Sequence, residues 1–168
     1  DARFEGSCRS RAEAILVIDD LANRSHDCDW LLDTTPGRTA KAYHGRVPEA
    51  CECLLGPEYA LLGEAFAARR PEALFRRERK TGVDRVLVHF GLTDPSRATA
   101  KAVRGVLEAE RCLAVDVVLS PGAPDHELVL RLARDHRNVF RFDDVPDMAE
   151  LMVRADLALG APGTSSWE

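Results

Sequence analysis

VDRVLVHFGLTDPSRATAKAVRGVLEAERCLAVDVVLS, residues Val83 to Ser120, decides how this chain folds. It opens on the apolar run Val83 to Phe90 and turns through Gly91-Leu92-Thr93-Asp94-Pro95. An amphipathic stretch from Ala98 to Ala109 follows, and a second apolar run covers Val115 to Leu119. Strand, glycine turn, helix and strand in that order make a βαβ unit, whose right-handed crossover places the two strands parallel in a layered sheet. Downstream the alternation continues through an amphipathic His126 to Asp135, an apolar Val139 to Phe142, a helical pattern at Met148 to Arg154 and the short apolar Leu157 to Leu159. The fold class expected is therefore α/β.

Upstream, Ile15-Leu16-Val17-Ile18 is an uninterrupted apolar run ending at Asp19-Asp20, the pattern of a strand covered on both faces that stops at a polar rim. Trp30-Leu31-Leu32 predicts a second strand, closed by the turn residues Asp33-Thr34-Thr35-Pro36-Gly37. Leu54 to Phe66, interrupted by Pro57 and Gly63, predicts a short strand, a loop and the start of a helix. Arg69, Arg70, Arg76, Arg77, Arg79 and Lys80 then crowd into one basic run. Such a run between apolar segments reads as a solvated connector or an exposed helix face rather than a nucleic-acid patch. The change of pattern after it puts a domain boundary near Gly82, dividing the chain into residues 1–81 and 82–168. No self-similar period marks a solenoid, since the strands share hydrophobicity but not sequence.

The 168 residues carry 23 Lys+Arg against 28 Asp+Glu, a net charge of −5, and 45% of them are apolar. That balance provides no general basic field for a nucleic-acid backbone. No apolar run reaches the roughly 18 residues of a membrane span, and the composition is that of a globular chain. Five cysteines, an odd number without a recognisable secretory signal, read as reduced thiols of a cytoplasmic protein. Asp1 stands where a Met would open a complete chain, and Ser165-Ser166-Trp167-Glu168 begins a helix that does not continue, so both ends are expected to be cut.

Several motifs invite chemistry and fail on spacing. The Asp19-Asp20 pair resembles the metal-holding strand end of a phosphoacceptor receiver, but the downstream acceptor Asp and Lys are missing around Leu61-Leu62-Gly63. Capping of the following turn is the simpler reading. Cys51-Glu52-Cys53 lacks the second ligand pair that structural zinc requires, so no metal and no cofactor is expected. His26, His44, His89, His126 and His136 are scattered, and His89, inside a strand, reads as a hydrogen-bonded core residue. The informative features are the two loops that follow strands: Gly91 to Pro95, and Gly160-Ala161-Pro162-Gly163-Thr164-Ser165-Ser166. At the carboxyl edge of a parallel sheet, glycine admits close backbone approach and a helix N-terminus presents amides to an anion, which makes a diphosphate the natural occupant. Ser165 to Glu168 also fits the S-x-x-E capping box, in which Glu168 returns a hydrogen bond to the backbone; alternatively its carboxylate accepts two ribose hydroxyls.

VIDDLANRSHDCDWLLD, LLGPEYALLGEAF, VLVHFGLTDP, DMAELMVRADLAL and GAPGTSSWE, in that order, together resemble the UDP-2,4-diacetamido-2,4,6-trideoxy-β-L-altropyranose hydrolases of pseudaminic acid biosynthesis, a resemblance spanning nearly the whole chain from Ile15 to Glu168. That family is similar to GT-B glycosyltransferases of the MurG kind, which implies two Rossmann-like halves, both incomplete here. Residues 1–81 would be the end of the N-terminal domain plus a linker, and residues 82–168 the beginning of the nucleotide-binding domain. The resemblance implies a UDP-sugar substrate, with Gly163, Thr164, Ser165 and Ser166 near the diphosphate, Glu168 at the ribose, and Gly91, Thr93 and Asp94 lining the facing loop. Leu92 stands where the family usually has a second glycine, and Pro162 where a small residue is usual, which removes one N–H. The family's proposed catalytic histidine and its active-site tyrosine would precede Asp1, so no catalytic residue is assigned and little turnover is expected from these residues alone. A GT-B glycosyltransferase with the same donor cleft and a non-catalytic nucleotide-binding module are the alternatives.

Overall fold

The computed structural model describes residues 1–109, 112–145 and 147–163, and the chain divides between Leu61 and Leu62 into two compact units. The first begins with helix α1 (Ala2–Cys8), followed by strands β1 (Leu16–Ile18), β2 (Trp30–Asp33) and β3 (Glu52–Leu55). These pair in sequence order as a three-stranded parallel sheet, with Val17 opposite Leu31 and Leu31 opposite Cys53. Because side chains alternate along a strand, Val17, Leu31, Cys53 and Leu55 share one face and pack with Cys28, Tyr43 and Val47. The opposite side of β1 departs from expectation. Its run is apolar throughout, yet Leu16 and Ile18 are exposed, and only the Val17 side is packed.

At the carboxyl ends of β1 and β2 lies a buried polar cluster. Asp19 Oδ2 accepts the Ala22 N–H at 2.8 Å, the turn-capping role expected of it. The Tyr43 hydroxyl, carried in by a short 3-10 turn (Ala40–Tyr43), sits 2.8 Å from Asp33 Oδ2 and 3.1 Å from Asp19 Oδ2. One phenolic proton serves only one acceptor at a time, and the shorter contact assigns it to Asp33. Burial raises the Asp33 pKa, but bonds from Thr35, Tyr43 and Arg38 outweigh it and hold the carboxyl below its ordinary value. Burial and the same two carboxylates drive the Tyr43 phenol well above its usual range. His26, also buried, joins α1 through a 2.8 Å contact of Nδ1 with Glu5, and its Nε2 lies 3.7 Å from Asp19 Oδ1 of this cluster.

The second unit opens with α2 (Glu64–Arg79) and continues β4 (Arg85–His89), α3 (Ala98–Glu108), β5 (Ala114–Val118), α4 (His126–Asp135), β6 (Val139–Phe142), α5 (Met148–Arg154) and β7 (Leu157–Gly160). The strands form one parallel sheet in the order β6-β5-β4-β7. The chain thus builds outward from β4 to β6, then returns across the sheet to lay β7 on the other side of β4. Val86, Val88, Val115, Val117 and Leu119 bury one face under Val103 of α3 and Val129 of α4. Leu87 and Val118 bury the other under Leu151 of α5. This α/β arrangement of parallel strands is consistent with a Rossmann-like fold.

The basic run is an exposed helix face, as one of the two sequence readings expected, but two of its arginines are paired. Arg69 pairs with Asp147 at 2.6 Å, and Arg76 with Asp156 at 2.6 Å. Asp156 also accepts the backbone N–H groups of Asp84 and Arg85, both at 2.9 Å. One buried carboxylate therefore holds the starts of β4 and β7 together and clamps α2 beside them. Inside the sheet, Asp116 is fully buried but receives Arg85 at 2.7 Å and Arg154 at 3.2 Å, so its charge is matched.

Asp156→Ala orphans two strand amides and the Arg76 guanidinium, and is expected to cost about 2–4 kcal/mol in urea unfolding of this chain. Burial raises the carboxyls of Asp33 and Asp156, but hydrogen bonds and neighbouring arginines bring both below their ordinary value. A lowered folded pKa contributes stability above the unfolded value of about 3.9 and loses it as pH falls further. The urea midpoint should accordingly hold from about pH 7 to 5 and drop below about pH 4; a midpoint unchanged to pH 3 would contradict this origin.

Candidate functional site

An open parallel sheet binds ligands where its strand order reverses, outside the carboxyl ends of the strands. In the second unit that reversal lies between β4 and β7, because the chain runs from β4 out through β5 to β6 on one side and returns to place β7 on the other. Their ends are in direct register, His89 opposite Gly160. A crevice of about 320 Å³ opens at this point, lined by Leu87, His89, Met152, Ala158 and the segment Leu159 to Pro162.

Gly160 is glycine for a steric reason. A Cβ there would lie 2.5 Å from the His89 carbonyl oxygen, so β7 could not keep its place beside β4. Gly91 has φ +88°, a left-handed conformation that turns the chain sharply out of β4. The same loop is held by the Leu92 carbonyl, which accepts the Ser120 N–H at 2.9 Å just beyond β5. Leu92 itself is exposed, as is Thr93.

Asp94 is buried with φ +32°, and its side chain faces α3. Oδ1 accepts the Ser96 hydroxyl at 2.8 Å and the Ala98 N–H at 3.1 Å, while Oδ2 accepts the Thr99 N–H at 2.7 Å. Burial raises its pKa, but these bonds prevail and keep the carboxyl below its ordinary value. The first amides of α3 are thereby occupied by the protein's own carboxylate. Asp94 fixes the shape of the Gly91 loop through α3, a role that the Asp-Pro pair after a glycine turn did not by itself disclose.

Gly91, Thr93 and Asp94 thus occupy one loop, and Gly163 the exposed segment leaving β7, the neighbouring strand. Thr164, Ser165, Ser166 and Glu168 lie outside the described residues. His89 was read from the sequence as a core residue. It is half-buried, with Nδ1 3.4 Å from the Val118 carbonyl, and it forms part of the crevice wall. Its place as the last residue of the strand preceding a glycine loop was the signal for that position. Among the described residues, no group of three or more His, Cys, Asp or Glu side chains is arranged to hold a metal ion, and no helix is long and apolar enough to cross a membrane.

The second unit therefore belongs to the class of parallel α/β folds with a crevice at a strand-order reversal. No protein-family model matches the chain. It is 30% identical over 138 residues to the UDP-2,4-diacetamido-2,4,6-trideoxy-beta-L-altropyranose hydrolase of Campylobacter jejuni, an alignment covering 82% of this chain and 47% of that protein. It is also 29% identical over 116 residues, 67% of this chain, to an uncharacterized protein of Methanocaldococcus jannaschii, of which the match covers 24%. The chain spans about half the length of the first relative and about a quarter of the second.

Gly160→Ala should force β7 away from the His89 carbonyl and destabilise the chain by about 1–3 kcal/mol, as overpacking does. Thermal unfolding checks this, and a Tm equal to that of the unsubstituted chain would show that β7 yields without cost.

Proposed function

We propose that this chain is the nucleotide-binding portion, with part of the preceding domain, of a GT-B-like hydrolase acting on a UDP-linked diacetamido-trideoxy sugar in pseudaminic acid-type biosynthesis. The observation carrying this reading is the crevice at the β4–β7 reversal, lined by His89 and the segment Gly160 to Pro162, in a chain similar to a protein named as such a hydrolase. UDP is the ligand suited to this edge: an apolar wall of Leu87, Met152 and Leu159 for the nucleoside, and a glycine loop for the diphosphate. Gly163, Thr164, Ser165 and Ser166 are assigned to the diphosphate and Glu168 to the ribose. Gly91 and Thr93 line the opposite loop, with Asp94 holding it in shape through α3.

In the reaction, water displaces UDP from the anomeric carbon. The C–O bond to the diphosphate breaks as a new C–O bond forms to water, and negative charge grows on the departing phosphate oxygens. Amides fixed in advance at the glycine loop stabilise that charge without reorganising. A general base removes the proton of the attacking water, and none of the crevice residues is assigned that task. We place the base outside these residues, as the resemblance implies.

Calorimetric titration with UDP tests the reading. Saturable binding is expected, weakened about tenfold by Glu168→Ala, the equivalent of about 1.4 kcal/mol for a lost ribose contact. Unchanged affinity in that variant would make Glu168 a helix cap, and absence of UDP binding would overturn the assignment of the crevice. Release of UDP from the diacetamido sugar nucleotide should be negligible with these 168 residues alone. Robust release would place the base within them, and in the longer protein transfer to an added sugar in preference to water would favour a glycosyltransferase.

A further inference from the structure

Cys28 and Cys51 face each other in the core of the first unit. Their sulfurs are 3.6 Å apart, in van der Waals contact, although the residues are 23 apart in sequence. Cys28 precedes β2 and is 1% exposed; Cys51 precedes β3 and is half-buried. Both pack on the Leu31–Tyr43 core, and neither takes part in the crevice chemistry of the second unit. Adjacent parallel strands set the distance between the two backbones. Closing the pair to a disulfide length of about 2.05 Å brings the sulfurs about 1.5 Å nearer.

We propose that Cys28 and Cys51 form a reversible modification site, a dithiol that closes to an intramolecular disulfide when exposed to a low-molecular-weight disulfide. Cys51, the more accessible sulfur, attacks one sulfur of the small disulfide. Its S–S bond breaks, one thiolate leaves, and a mixed disulfide remains on Cys51. Cys28 then attacks Cys51 Sγ and expels the second small thiolate, so the protein loses two hydrogens as the reagent becomes two thiols. Cys53 is also half-buried and interacts with Cys51 from the same strand segment, but the Cys28 sulfur lies 3.6 Å from Cys51 across to the neighbouring strand and is assigned as the resolving thiol. The bond closes a loop containing Asp33, Arg38 and Tyr43, and so fastens the buried cluster at the end of the first sheet.

Burial together with the neighbouring Cys28 thiol raises the Cys51 pKa to about 11, and burial raises that of Cys28 as well. Only the thiolate attacks, so the closing rate should rise roughly tenfold per pH unit between about pH 7 and 9.

The test uses the full chain with Cys8→Ser and Cys112→Ser, which removes the thiols outside this core. It is treated with oxidised glutathione, alkylated and mapped by mass spectrometry. The expected product is a Cys28–Cys51 cross-linked peptide with Cys53 alkylated, all thiols returning after dithiothreitol. Cys28→Ser in that background should accumulate glutathione on Cys51 instead. A predominant Cys51–Cys53 bond, a mixed disulfide that persists with Cys28 present, or three free thiols after prolonged exposure would each overturn the proposal. The map of the chain that retains Cys28 decides the matter even if Cys28→Ser does not fold.

Discussion

The candidate site depends on one close approach, the pairing of β7 with β4 at their carboxyl ends. Gly160 lies against the His89 carbonyl at a distance no side chain would permit. This contact completes the reversal of strand order, and the reversal opens the crevice. Parallel strands require crossovers, and here α3 and α4 cover one face of the sheet and α5 the other, so the strand order reverses where β4 meets β7. A cavity at that point is thus a consequence of topology, and the residues around it determine what it accepts.

The opposite ends of the same two strands are held by charge. Asp156 receives the backbone amides of Asp84 and Arg85, where β4 begins, and the guanidinium of Arg76, and Arg69 engages Asp147 just before α5. An arginine-rich helix with no buried residue is retained in this way by ion pairs that are partly withdrawn from water. Such pairs are stronger than freely exposed ones, because both partners are oriented by further hydrogen bonds. The edge strand is therefore tied at both ends, by sterics at the crevice and by electrostatics at its origin.

Carboxylates have different tasks in the two units. In the first, Asp19 and Asp33 meet around Tyr43, where burial and a shared phenolic hydroxyl make them structural. In the second, Asp94 satisfies the first amides of α3 and so holds the end of the neighbouring glycine loop. A carboxylate at the end of a strand is thus no evidence of catalysis until its acceptor oxygens have been followed to their donors.

The sequence by itself determined most of the strands and helices, though not α1, whose seven residues carry no extended apolar period. Val83 to Phe90, Ala98 to Ala109, Val115 to Leu119 and their successors matched the observed strands and helices closely, because periodicity and turn residues act within a few positions of the chain. It also marked the glycine loops, since left-handed turns and close contacts favour glycine locally. Tertiary structure alone decided that β7 lies beside β4, that the arginines of α2 meet Asp147 and Asp156, that His89 lines the crevice, and that Cys28 meets Cys51. Each of those facts joins residues far apart in the chain. Hydrophobic pattern tells a segment which face to bury, but the partner it is buried against is set by the packing of the whole unit.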